Sequence, residues 1–225
     1  MARIVRKTCI FAKNSEEKNR IIMNTHFLQN ASKPLDSLNG RLMLIRMNFH
    51  HRKLSKWSFG FIPLDGAKKI LDIGCGGGKN IQTLLKKVPL AKVYGIDYSQ
   101  TSVSYSKWVN RKEVKNGRAD IIEGNVLKMP YEDQSLDVIT AFETVYFWQP
   151  IDKALLEIYR VLKPGGHFIV ACEVNDPIKF TNLTKRIMGM TVYSPREMEN
   201  LLKNFEFTSI ETHIKNDFMC LICSK

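Results

Sequence analysis

The residues of this chain best suited to chemistry gather at a glycine-rich turn. Residues 71–80 read LDIGCGGGKN, in which an apolar run meets Gly74, Gly76 and Gly78. Glycines at that spacing let the backbone turn sharply and let a ligand approach without interference from a Cβ. A turn built for a pyrophosphate offers it backbone N–H groups and a helix N-terminus. Here an acid, Asp72, stands two residues before the first glycine. Its carboxylate would oppose phosphate and would suit an ammonium group. The turn therefore points to a nucleotide-like ligand that carries positive charge and no phosphate.

The elements that must position this turn alternate between strand and helix patterns from about residue 66 onward. Lys69–Ile73 is a short apolar run that stops at the glycines, and residues 80–88 have helical periodicity. Strand patterns follow at 91–96, 119–123, 136–142 and 167–172, with helices expected at 99–115 (capped by Ser99) and 151–162. Pro164-Gly165-Gly166 reads as the turn between the last of these helices and the fifth strand. Ser194-Pro195 starts a further helix, and residues 207–214 and 218–223 form a hairpin around Lys215-Asn216-Asp217. Such alternation predicts a Rossmann-like α/β fold. Its sheet is seven-stranded and mostly parallel, with one antiparallel strand in the C-terminal hairpin and helices on both faces.

Residues 1–65 lack strand patterns and read as a helical lid or arm, with residues 66–225 as the ligand-binding domain. From Ser37, Leu38, Leu42, Ile45 and Phe49 fall at helical spacing, with Met43 and Leu44 widening the stripe. A second helical patch over 54–61 carries Trp57.

Four segments together carry a family resemblance: LDIGCGGG (71–78), VYGIDYS (93–99), GNVLKMPYEDQSLDVI (124–139) and EIYRVLKPGGHFIV (157–170). In order and spacing the chain resembles the class I S-adenosylmethionine-dependent methyltransferases, particularly the subgroup of quinone-biosynthesis and small-molecule enzymes. The resemblance implies S-adenosyl-L-methionine as cofactor. Asp72 and the backbone around Gly74, Cys75 and Gly76 would hold its methionine part. Asp97 would accept from the two ribose hydroxyls, Tyr98 would lie against the adenine, and Asn125 with Val126 would meet the adenine edge. Asn125 departs from the pattern, which more often has Asp there. Residues 203–207 depart too, lacking the glycine common before the sixth strand.

Methyl transfer is an in-line displacement in which the donor brings its own leaving group, so no fixed catalytic signature is required. The acceptor site should lie beyond the strand ends near the crossover in strand order. The candidates there are Glu143, Thr144, Tyr146 and Trp148 after the fourth strand and Glu173 after the fifth. His50, His51 and Trp57 could join them from the lid. Either histidine could act as general base, because imidazole titrates near neutral pH; each taken alone also reads as a partly exposed helix residue. No metal site is expected. Cys220-x-x-Cys223 reads as packing, since positions three apart in a strand face opposite sides.

The chain has 225 residues, 44% hydrophobic and 25% charged, and a net charge of +12. The charge is uneven: residues 1–69 hold 14 Lys and Arg against 4 acids. That segment reads either as solvated helix faces or as a surface that attracts an anionic substrate or nucleic acid. No stretch approaches the roughly 20 apolar residues of a membrane span, no signal-peptide core is evident, and five scattered cysteines make no disulfide framework. A cytoplasmic protein is expected. Three functions remain open: methylation of a small-molecule acceptor, RNA-directed methylation using the basic N-terminal segment, and catalytically silent donor binding. The sequence after the fourth strand, Phe142-Glu143-Thr144-Val145, lacks the Pro-Pro-aromatic pattern of amino-methylating nucleic-acid enzymes.

Overall fold

The computed structural model describes residues 38–225. The first 37 residues, with Cys9 and part of the expected lid, lie outside the described residues. Among the described residues seven strands form one sheet: β1 (Lys69–Ile73), β2 (Lys92–Asp97), β3 (Ala119–Glu123), β4 (Leu136–Phe142), β5 (Leu162–Cys172), β6 (Ser209–Lys215) and β7 (Phe218–Ser224). Their order is β3-β2-β1-β4-β5-β7-β6. β7 runs antiparallel to both its neighbours, and the remaining pairs are parallel. The expected sheet, with its single reversed strand, is the one observed.

The helices are α1 (Leu38–His50), α2 (Arg52–Ser58), α3 (Lys79–Lys87), α4 (Gln100–Val109), α5 (Arg111–Lys115), α6 (Ile151–Val161), α7 (Thr181–Thr184) and α8 (Pro195–Leu202). Strand alternation splits the core into two layers. Leu71, Ile139, Phe168 and Leu221 face one way, against Leu155 and Ile158 of α6. Ile70, Val138, Ile169 and Ile222 face the other, against Ile81 and Leu84 of α3. Cys220 and Cys223 fall in different layers, both buried, as their spacing requires.

Three local expectations need correction. The helix expected over 99–115 is two, α4 and α5, divided at Asn110. The Asn110 side chain turns back to donate to the carbonyls of Ser106 and Gly78, both at 3.0 Å, so it competes with the helix ladder. The fifth strand starts at Leu162 rather than at His167. Pairing with β4 passes from Leu136↔Leu162 to Val138↔His167 through an irregularity, so Pro164-Gly165-Gly166 bulges within the strand. The α1 stripe is also turned the other way. Leu42, Ile45 and Phe49 are exposed, whereas Met43 and Leu44 are buried. The inward face continues to Met47, Asn48 and His51, which line a cavity at the end of the sheet. The helix thus turns its ligand-facing side inward at the expense of its apolar stripe.

α2 and the turn after it belong to the second layer. Leu54, Phe59 and Ile62 pack there with the sheet, and Phe59 lies 5.3 Å from Phe142 between ring centroids. The chain leaves β1 towards β2 and β3, then returns to β4 on the other side of β1. The crevice at that switch opens at the C-terminal ends of the strands, directly beneath α1 and α2.

Candidate active site

Four strand ends supply the site. Gly74 follows β1, Asp97 closes β2, Glu143 follows β4 and Glu173 follows β5. Two cavities meet among them. The larger, of about 570 Å³, is lined by the glycine turn and by residues of α1, α2 and α3. The smaller, of about 280 Å³, is lined by Tyr98, Asn125, Val126 and Trp148 among others. Gly74, Asp97, Tyr98, Thr144 and Phe147 border both.

Three of the turn's four glycines are crowded by neighbouring side chains, and Gly76 opens to the cavity instead. A Cβ on Gly74 would stand 2.1 Å from Thr144 Oγ1, and one on Gly78 would stand 2.2 Å from Ser106 Oγ. Both glycines also have positive φ, +65° and +73°, a region that side chains disfavour. From above, the Asn48 amide of α1 donates to Gly77 O at 3.1 Å. Sequence reasoning missed this residue, because it sits on a helix whose inward face is not its apolar one.

Asp97 holds the turn and its neighbour together. Its Oδ2 accepts from Gly76 N and its Oδ1 from Ser99 N, both at 2.9 Å. Burial raises its carboxyl to about 6 even though these backbone donors pull the other way. Asp72 lies under the turn and borders neither cavity. It is 2% exposed, its Oδ1 accepts from Thr140 Oγ1 at 2.7 Å, and burial raises it to about 7.

A folded-state value above the unfolded one means that the fold prefers the protonated group. The resulting stability is present at low pH and is lost as pH rises through the folded value. Asp72 and Asp97 therefore predict that the ligand-free, chelator-treated protein is less stable at pH 8 than at pH 5.5. The difference from these two groups is on the order of 1–3 kcal/mol. Denaturant titrations at the two pH values measure it together with a contribution of the same sign from Glu143, which burial also raises to about 7, and Asp72→Asn should make the difference smaller. An equal difference in that variant would refute the assignment.

In the smaller cavity, Asn125 Oδ1 accepts from Leu127 N at 2.9 Å and Val126 is buried. The following segment is clamped by Arg160, which donates to Tyr131 O at 2.9 Å and Met129 O at 3.2 Å while paired with Glu157.

At the far side of the larger cavity, three elements bring titratable groups together. His51 Nδ1, from the junction of α1 and α2, stands 3.5 Å from Glu143 Oε2 and 3.3 Å from Glu173 Oε2. His50 Nε2 is 3.5 Å from Glu173 Oε2, but its side chain is largely exposed. Burial lowers the His51 imidazole, and the Glu173 and Glu143 carboxylates more than offset it, leaving the group above its ordinary value. Burial raises Glu143 to about 7, against the pull of His51. Tyr146 is buried and stands behind Glu143, donating to its Oε1 at 3.2 Å and accepting from Val174 N at 3.0 Å.

The structure thus gathers His51, Glu143 and Glu173, sets His50 at their edge and puts Tyr146 behind them. Trp57 does not join them: it packs on Phe61 and Phe218 and lines neither cavity. Trp148 lines the smaller cavity, with its indole N–H on Thr144 Oγ1 at 3.3 Å.

Residues 71–170 match a family model described as a methyltransferase domain. Cycloartenol-C-24-methyltransferase 1 of Oryza sativa subsp. japonica is 36% identical over 103 residues, 45% of this chain and 29% of that protein. Demethylmenaquinone methyltransferase of Oceanobacillus iheyensis is 28% identical over 153 residues, 68% of this chain and 62% of that protein. The chain therefore spans less than two thirds of either relative. Human N-acetylserotonin methyltransferase, solved with its S-adenosylmethionine, superposes with a TM-score of 0.70 at 18% identity, covering 84% of this chain and 56% of that one. That likeness is one of fold.

Proposed function

We propose that this chain, which carries a class I S-adenosylmethionine-dependent methyltransferase domain, moves the methyl group of S-adenosylmethionine to a small-molecule acceptor by in-line displacement. One observation carries the reading: the two cavities join at Gly74, Asp97 and Thr144, with the His51–Glu143–Glu173 cluster on the side away from Asn125 and Val126. A long ligand laid across that junction has its two ends in different chemical surroundings.

The residues present fit the donor. Asp97 has each carboxylate oxygen committed to one backbone N–H, which leaves further lone pairs for the two ribose hydroxyls. Gly74, Cys75 and Gly76 present backbone to the methionine part, with Asp72 beneath them as an electrostatic backing rather than a direct contact. Tyr98 would lie against the adenine, with Asn125 and Val126 at its edge. Bound there, the donor supplies an electrophilic methyl carbon on its own leaving group. The chain's remaining work is to align the acceptor and keep water out, which falls to α1, α2 and the His51 cluster. We take residues 1–65 as the lid and residues 66–225 as the donor-binding domain.

Relatives of this chain are named for sterol and quinone acceptors, which supports a small molecule here. The larger cavity favours one with an anionic group. Arg52, Lys56, Lys79, Lys86 and Lys87 surround it, and Asp97 and Glu143 are its acids. RNA shares that anionic character and is the second reading. No helix among the described residues is long and apolar enough to cross a membrane, which fits a cytoplasmic enzyme.

Incubating the protein with methyl-labelled donor and a fractionated cell extract tests the proposal. Label is expected in the metabolite fraction. Label in the RNA fraction would overturn the acceptor class, and binding without transfer to any fraction would favour a silent donor-binding protein.

A further inference from the structure

His51, Glu143 and Glu173 do more than sit close. One potential ligand atom from each lies within 4.8 Å of the other two, and His51 Nδ1 is 3.5 and 3.3 Å from the Oε2 atoms of Glu143 and Glu173. Ligands held at about 2.0–2.2 Å around a tetrahedral ion stand about 3.3–3.6 Å apart, so these two edges already have the length of a coordination polyhedron. His51 Nδ1 is buried and meets no partner at hydrogen-bond geometry.

Glu143 is held in the manner of a ligand. Its Oε1 is occupied by the Tyr146 hydroxyl and by the Glu173 N–H, leaving Oε2 turned towards the imidazole. Tyr146 is fixed in turn by Val174 N. Outer hydrogen bonds of this kind orient ligating carboxylates. Within the cluster itself two carboxylates face one imidazole, so a dication held by all three would leave these ligands and the ion together neutral.

We propose that His51 Nδ1, Glu143 Oε2 and Glu173 Oε2 bind one divalent transition-metal ion, of the zinc or manganese class, beside the larger cavity, whose lining includes His51 and Glu143. One nitrogen and two carboxylate oxygens suit such ions, and three protein ligands leave an open position for another group. Its role in methyl transfer rests on the function proposed above. The acceptor class that fits is a hydroxyl compound whose oxygen takes the open position and releases its proton to solvent. That oxygen then bonds to the methyl carbon as the carbon–sulfur bond breaks and its electron pair stays on sulfur.

The test uses the full chain, freed of metal by chelator dialysis and titrated with Zn²⁺ or Mn²⁺ alone by calorimetry and, for Mn²⁺, by electron paramagnetic resonance. One ion per chain is expected. Affinity should fall at least about 100-fold in His51→Gln and in Glu143→Gln, and about tenfold in Tyr146→Phe, which removes only an orienting contact. His213→Gln, on β6 and outside the cluster, should bind as wild type. Far-UV circular dichroism with a thermal melt reports whether each variant is folded, and binding of S-adenosylhomocysteine is measured separately as the test of the donor reading. Should Glu143→Gln fail to fold, Glu173→Gln takes its place. No stoichiometric ion, or affinity unchanged in the folded cluster variants, would overturn the proposal. Metal binding without S-adenosylhomocysteine binding would leave this site standing and remove the donor reading instead.

Discussion

Asp97→Ala is expected to weaken S-adenosylhomocysteine binding by a factor of about 10²–10⁴. With the donor placed as proposed, two hydrogen bonds from ribose hydroxyls to a carboxylate would be lost together, and hydrogen bonds to charged groups are each worth about 1.5–3 kcal/mol. The residue has a second task that makes the loss steeper: its two oxygens hold Gly76 N and Ser99 N, each at 2.9 Å. Alanine releases both, so the turn loses its side-chain tie to β2 at Gly76 and keeps only the backbone bonds from Gly74 N and Cys75 N to Ile96 O. Asp97→Asn separates the two tasks. The amide keeps one acceptor oxygen but turns a donor towards the other backbone N–H, and an intermediate loss of about 10–100-fold is expected, since most of one charged hydrogen bond goes. Binding to the wild type should also weaken as pH falls through about 6, where the Asp97 carboxyl takes up its proton. Isothermal calorimetry between pH 5 and 8 measures all of this. An Asp97→Ala affinity within threefold of wild type would remove the ribose role.

The sheet was legible in the sequence because its central strands are buried on both faces. The β1 run Lys69–Ile73 is apolar at its buried positions but for Asp72, and unbroken runs between glycine-rich turns leave few other readings. Less legible was everything decided by a single side chain reaching across the structure. Nothing local says that Asn110 will turn back onto Gly78 and divide a helix, or that Lys163-Pro164-Gly165-Gly166 will bulge inside β5 rather than precede it. Helical periodicity in α1 misled for a physical reason. An amphipathic pattern reports which face is apolar, whereas this helix uses Met47, Asn48 and His51 to line a cavity and leaves Phe49 exposed.

The site divided along the same line. Asp97, Tyr98 and Asn125 stand in or just after strand ends, within two of the segments that carry the family resemblance, and the resemblance brought them forward. The His51 cluster joins residues 51, 143 and 173, and no spacing rule connects positions so far apart in the chain. Residue types and strand-end placement made each a candidate. Only the topology, which puts the ends of β4 and β5 side by side beneath α1, makes them a group. Asp72 shows the reverse case: it is conspicuous in the motif, yet Thr140 holds its carboxyl away from both cavities.

Gly74→Ala should damage the donor site more than a single methyl would elsewhere, because it meets two independent obstacles. The added Cβ would stand 2.1 Å from Thr144 Oγ1 and 2.7 Å from Thr144 Cβ, and the second of these atoms is fixed by its own backbone. The backbone would also be held at φ +65°, where a side chain costs on the order of 1 kcal/mol. Thr144 in turn accepts from the Trp148 indole and adjoins Glu143, so it cannot yield without moving both cavity walls. The expected result is a loss of at least about 100-fold in S-adenosylhomocysteine affinity, with a lower melting temperature. A double-mutant cycle separates the causes. Thr144→Ala removes the hydroxyl and the methyl but keeps Cβ, so Gly74→Ala/Thr144→Ala should recover part of the affinity and none of the backbone cost. Full recovery would show that the steric term acts alone. No recovery would place the cost in the left-handed backbone and in the 2.7 Å approach to the Cβ at position 144, which alanine keeps.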